Sequence, residues 1–308
     1  MNWKNIKIFM LVLLVAVNIF LAAMVIKQSG MQVYDSNTLK NITELLSQSG
    51  ISADRSFLTK KTQETSVYSC EIHMTYASNV ANMIMGEYED IFMTPQGFSF
   101  FGKNNEVLKT GKSFEIYYDI GINTLTLKNK LELDKSEKRA LKETLSSLLL
   151  GKSLENSGYG IKLNEAGSAD GFTYAIITQT VNDITVSNHT MKCILKDKQI
   201  VYLCGRWSFL PINENFSAHL LDSVNILFIE KSELDAQKLQ NTDDEKIKDI
   251  SLTVENMEQC YISHLSDDGT KLYFIPSWHI EWKENNADDT YYDAINGEKA
   301  YFENEFVN

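Results

Sequence analysis

Residues 8–26 read IFMLVLLVAVNIFLAAMVI, an apolar run that carries no charge and one polar residue, Asn18. Its length matches the roughly 20 residues with which an α-helix crosses the hydrocarbon core of a bilayer. A cleaved secretory signal has a shorter apolar core, about 7–15 residues, closed by a small-residue cleavage site. Here the small pair Ala22-Ala23 is followed by Met24-Val25-Ile26, so the segment is expected to be an uncleaved transmembrane helix. Lys4 and Lys7 precede it and Lys27 alone follows closely, which keeps the N-terminus cytoplasmic and sends the remainder outside. Leu11, Val15, Asn18 and Ala22 share one helix face. A small residue permits close approach and an amide hydrogen-bonds across helices, so this is the expected transmembrane partner-binding face.

Outward from the anchor, periodicity alternates between helix and strand. Residues 36–49 place Leu39, Ile42, Leu45 and Leu46 at helical spacing behind a Ser36 cap, with Gly50 as the stop. Residues 67–76 alternate as a strand, 79–85 form a short helix, and 90–93, 97–101 and 114–118 read as strands separated by turns. Residues 135–150 are a strong helix with Leu141, Leu145, Leu148 and Leu149 on one side. Strands follow at 160–164, 172–181, 184–195 and 200–209. The order then repeats: a helix at 219–229, a charged hinge at 241–248, and strands at 250–254, 258–264, 270–275, 278–282 and 290–295, with Asp268-Gly269 and Asn296-Gly297 as hairpin turns. The expected fold is α+β: an N-terminal transmembrane helix, then an extracytoplasmic portion of antiparallel β-meanders with helices packed on one face, in tandem related units.

The chain has 308 residues, a net charge of −12 and no dense Lys/Arg patch, which argues against a nucleic-acid partner. Lys109-Thr110-Gly111 resembles one element of penicillin-binding proteins, but none of the serines has a Lys three residues later, so it reads as a turn. Motifs for serine hydrolases, zinc proteases, nucleotide loops and calcium loops are missing. The acidic runs at 87–90 and 288–289 read as solvated turns, because neighbours on a strand face opposite ways. The five histidines stand apart in sequence, and His279, between Trp278 and Trp282, reads as part of a packed sheet face. No catalytic residue, cofactor or metal site is expected. Cys193 and Cys204 flank a turn at 197–199 and would face each other in a hairpin centred there, a possible disulfide. Trp207, Trp278 and Trp282 are candidate partner contacts, since tryptophan is enriched in interface hot spots.

Several stretches together resemble the YycI family, bitopic membrane proteins of Gram-positive bacteria: Met1-Asn2-Trp3-Lys4-Asn5-Ile6-Lys7 leading into the anchor, residues 174–181 and 205–211, Ile275-Pro276-Ser277-Trp278-His279-Ile280, and Tyr291-Tyr292-Asp293-Ala294-Ile295-Asn296-Gly297-Glu298. The last pattern also looks like the end of a PepSY-type module. The resemblance implies a non-catalytic accessory regulator in the cell membrane. Its partners would be the sensor histidine kinase WalK (YycG) and the related protein YycH, with output to cell-wall homeostasis through WalR. It divides the chain into a cytoplasmic stub (1–7), the anchor (8–26), a linker (27–35), a membrane-proximal domain (36–213, with a sub-boundary near 134) and a PepSY-like domain (214–308). The alternative is an extracytoplasmic PepSY-type ligand-binding or protease-inhibiting module for which the anchor is only a tether.

Overall fold

A computed structural model describes residues 34–103, 105–121, 131–154, 157–240, 251–284 and 287–301. The first helices and strands are α1 (Ser36–Gln48), β1 (Ile51–Ser52), α2 (Arg55–Leu58), β2 (Ser66–Glu71) and α3 (Tyr76–Ile84). They are followed by β3 (Asp90–Thr94), β4 (Gly97–Phe101), β5 (Val107–Gly111), β6 (Glu115–Asp119) and β7 (Leu131–Glu132). Next come α4 (Lys135–Leu149), α5 (Gly151–Leu154), β8 (Tyr159–Ala169), β9 (Phe172–Val181), β10 (Ile184–Lys196), β11 (Gln199–Arg206) and β12 (Asn213–Ser217). The chain closes with α6 (Ser223–Gln240), β13 (Leu252–Leu265), β14 (Lys271–Trp282), β15 (Thr290–Asp293) and β16 (Lys299–Ala300).

The architecture is mostly β-sheet with a few helices. That corrects the expected α+β fold led by a transmembrane helix, and with it the single-pass placement at the cell membrane. Residues 8–26, including Leu11, Val15, Asn18 and Ala22, lie outside the described residues. Among the described residues no helix is long and apolar enough to cross a membrane. The longest, α6, carries Glu230, Lys231, Glu233, Asp235 and Lys238 within its span.

Among the described residues sixteen strands join in one sheet, in the order β12-β2-β14-β13-β10-β11-β6-β5-β4-β3, with β9, β8 and β7 branching from β10, β15 and β16 from β14, and β1 pairing with β13. Tight hairpins set the meander β8–β11. Asp170-Gly171, Asn182-Asp183 and Asp197-Lys198 all take positive φ, the two-residue turn whose twist matches that of the flanking strands. Gly205 on β11 has φ +149, and a Cβ there would stand 2.2 Å from the Thr190 carbonyl oxygen; only glycine lets β10 and β11 approach so closely.

Two cores form. In the first, the apolar stripe of α4 (Leu141, Leu145, Leu149) and Ala77, Val80 and Ala81 of α3 bury against Ile161, Ile177, Met191, Leu203 and Trp207. Asp134 caps α4 with a full capping box to Glu137, satisfying amides that the first turn leaves bare. In the second, α1 (Leu39, Ile42, Leu46) and α6 (Val224, Ile226, Leu227) cover Met257, Trp278, Ile280, Trp282 and Tyr292. The cap of α1 is Asp35, one residue before the expected Ser36.

The helix-then-meander order is present, but a cut near 213 does not separate two cores. Strand β2 pairs with β14 and β12, α1 packs into the second core, and Leu272 and Phe274 of β14 enter the first core while Trp278 and Ile280 enter the second. Strand β14 also runs through Pro276, where the sequence suggested two strands. Its outer neighbour changes there, from β2 up to Phe274 to β15 from Ser277. A residue with no N–H is tolerated where the ladder changes hands.

Candidate partner-binding edge

The strand order ends in β3, whose second edge has no strand neighbour among the described residues. All five of its residues are exposed, although three are large and apolar: Ile91 (49%), Phe92 (59%) and Met93 (79%). Register places Ile91 opposite Phe100 and Met93 opposite Phe98. Those two therefore prolong the face on which Phe100 is fully buried. Phe92 lies on the other face, edge-on to the half-exposed Phe101 with ring centroids 5.5 Å apart. Soluble proteins blunt such edges with charge, proline or bulges. Here an unpaired row of backbone donors and acceptors is flanked by apolar side chains on both faces, the arrangement that accepts an added strand from a partner. The opposite edge, β12, reads Asn213-Glu214-Asn215-Phe216-Ser217 and shows one exposed large apolar residue, Phe216.

The residues expected to meet a partner lie elsewhere. Trp207 and Trp278 are fully buried and Trp282 is 6% exposed, so all three belong to the cores. Trp278 also donates its indole N–H to the Leu221 carbonyl at 2.9 Å. The bridge between Cys193 and Cys204 is ruled out by register. Cys193 stands opposite Leu203 and Lys192 opposite Cys204, so the two thiols point to opposite faces of the sheet. All four cysteines are unbridged. Lys109-Thr110-Gly111, expected to be a turn, lies in β5 between β4 and β6.

The structure also assembles a buried polar cluster where β10 of the meander joins β13. On β10, Val186, Ser187, Asn188 and His189 stand opposite Gln179 of β9 alone, a wide bulge. The released segment turns to β13: Val186 pairs with Tyr261, and the Asn188 side-chain amide exchanges two hydrogen bonds with the backbone of Ser263. Gln179 fills the bulge, its Nε2 donating to the Ser208 carbonyl and its Oε1 accepting from the Ser208 amide. That leaves the His189 Nδ1–H to donate to Gln179 Oε1 at 2.7 Å, while Nε2 accepts from Ser263 Oγ at 2.8 Å.

Serine, imidazole and an orienting oxygen in line have the outline of a nucleophile, its base and its positioner. Two observations favour a structural pin. His189 is fully buried with Phe274 edge-on to its ring. Burial, and after it the charge of Arg206, pushes its pKa down to about 3, far below what a base needs near neutral pH. Nothing in sequence flags the cluster, because Ser263 is 74 residues from His189.

No family model matches the chain, and no curated protein matches it. Among solved structures, the chain is similar to an uncharacterized protein from Eubacterium rectale ATCC 33656, with a TM-score of 0.47 and 10% identity over 86% of this chain and 99% of that one. A likeness of that size carries no argument about function.

Proposed function

We propose that the protein is a non-catalytic accessory regulator of a WalK-type sensor histidine kinase, working with a YycH-like protein and using β3 as its contact edge. The observation that carries the reading is the exposed apolar edge Ile91-Phe92-Met93. The kinase as partner rests on the resemblance of residues 1–7, 174–181, 205–211, 275–280 and 291–298 to the YycI pattern. Such a protein shifts the kinase between signalling states only by binding one of them more tightly.

The double variant Phe92→Asp, Met93→Asp places two charges where apolar contact is needed, at positions whose exposure spares the fold. Its affinity for purified WalK-type kinase, measured by biolayer interferometry with the full chain, is expected to fall by at least about 30-fold, the loss of one hot spot. Wild-type affinity in the variant, or no binding by the wild type, overturns the reading.

A further inference from the structure

A second cluster lies on the face of β14 opposite its tryptophans. Trp278, Ile280 and Trp282 enter the second core, so His279 and Glu281 project the other way. Glu258 of β13 stands directly opposite His279 on one side and Tyr291 of β15 on the other. The ligand atoms of Glu258, His279 and Glu281 all lie within 4.8 Å of one another. The imidazole is stacked on the Tyr291 ring, with centroids 4.4 Å apart and planes within 1°, and is 8% exposed. Its orientation is therefore fixed by packing and not by the glutamates.

The state of the ring follows from its neighbours. Nε2 lies 3.0 Å from Asp289 Oδ2, and because a carboxylate only accepts, Nε2 carries the hydrogen. In the neutral imidazole this leaves Nδ1 as a bare lone pair. Nδ1 is 3.7 Å from Glu281 Oε1, beyond hydrogen-bond reach. His279, nine-tenths buried and held through Nε2 by Asp289, thus presents Nδ1 to the Glu281 carboxylate with Glu258 beside it, a set in which either a proton on Nδ1 or a metal ion offsets the glutamate charge. Carboxylate, imidazole and metal in line, with the carboxylate orienting the ring from its far nitrogen, is how proteins present histidine to zinc.

We infer that Glu258, His279 and Glu281 form a binding site for a divalent transition-metal ion, with His279 Nδ1 and one oxygen of each glutamate as ligands and Asp289 orienting the imidazole. One nitrogen and two carboxylate oxygens suit Zn²⁺. Tetrahedral coordination at about 2.0–2.2 Å requires ligand atoms roughly 3.3–3.6 Å apart, which the flexible glutamates reach by closing in on the fixed ring. Side-chain exposures of 38% for Glu281 and 48% for Asp289 leave a path for the ion and room for water in a fourth position. The site does not depend on the partner edge, which lies on β3.

Titration of the full chain with Zn²⁺, followed by calorimetry and by X-ray absorption at the zinc edge, tests the assignment. The expected result is saturable binding with a Kd on the order of micromolar or tighter and a shell of nitrogen and oxygen at about 2.0–2.1 Å with no sulfur at 2.3 Å. His279→Gln and Glu281→Gln should each weaken binding by about 100-fold, and Asp289→Asn by about 10-fold. Circular dichroism checks that each variant is folded, and the half-exposed position of Glu281 keeps the test available if the buried His279→Gln does not fold. Binding weaker than about 1 mM, a sulfur-containing shell from the free cysteines, or unchanged affinity in a folded Glu281→Gln overturns the inference.

Discussion

Replacing Trp278 by alanine is expected to lower the stability of the fold by about 3–5 kcal/mol, the cost of emptying a large buried aromatic site. The residue is fully buried where β14 meets α1 and α6, among Ile280, Trp282, Tyr292 and Leu227. Its indole N–H is spent on the Leu221 carbonyl just before α6, so truncation also leaves a half-buried acceptor without its partner. Trp278→Phe keeps much of the volume and loses the hydrogen bond, and is expected to cost about 1–2 kcal/mol. Urea unfolding followed by far-ultraviolet circular dichroism gives both values. Because domains of this kind are stable by only about 5–15 kcal/mol, a cost below about 1 kcal/mol for alanine would show that the second core does not need this side chain.

The second large effect belongs to His189, and it depends on pH. Substitution by leucine leaves Gln179 Oε1 and Ser263 Oγ short of a partner where β10 joins β13, at a cost of about 3 kcal/mol near neutral pH. Burial first, and the charge of Arg206 second, hold the folded pKa down to about 3 from the ordinary 6.5. The contribution is therefore fully present above pH 6.5. As pH falls below 6.5 the unfolded chain binds a proton that the fold refuses, and stability drops by up to about 1.4 kcal/mol per pH unit until the folded pKa is approached. The gap between wild type and His189→Leu should accordingly narrow by about 2 kcal/mol between pH 6.5 and 5. Urea midpoints at the two values measure it, and a gap that does not change with pH would mean that His189 is not held neutral by its surroundings.

Individual elements were readable where local chemistry and final structure agree, although the overall fold class was not. The leucine-striped helix expected over 135–150 became α4, one residue shorter and capped by Asp134, and the strand expected over 172–181 became β9 residue for residue. What failed were inferences about position. Exposed aromatics cannot be told from core aromatics by type alone: Trp207 and Trp278 vanished into the cores, while Ile91, Phe92 and Met93, an ordinary strand by pattern, came out on the surface because β3 is last in the order.

Register decided the cysteines. The Asp197-Lys198 turn and a bulge at Ile194/Leu195 put Cys193 beside Leu203, and a slip of one residue reverses the face. The set proposed to bind a metal was not legible, since His279 reads in sequence as part of a packed sheet face and its spacing to Glu281 is that of any two residues on one side of a strand. Glu258 joined only when β13 folded against β14. The junction of Gln179, His189 and Ser263 had no local signal at all.

Hydrogen exchange along β3 tests the proposed contact edge most directly. Binding by strand addition places partner carbonyls on the outward amides of residues 90–94, so saturating the full chain with purified WalK-type kinase is expected to slow their exchange by an order of magnitude or more. Unchanged exchange across 90–94 under saturating kinase, with protection appearing elsewhere such as β12 or the outer side of α6, would contradict the assignment of β3 as the contact edge.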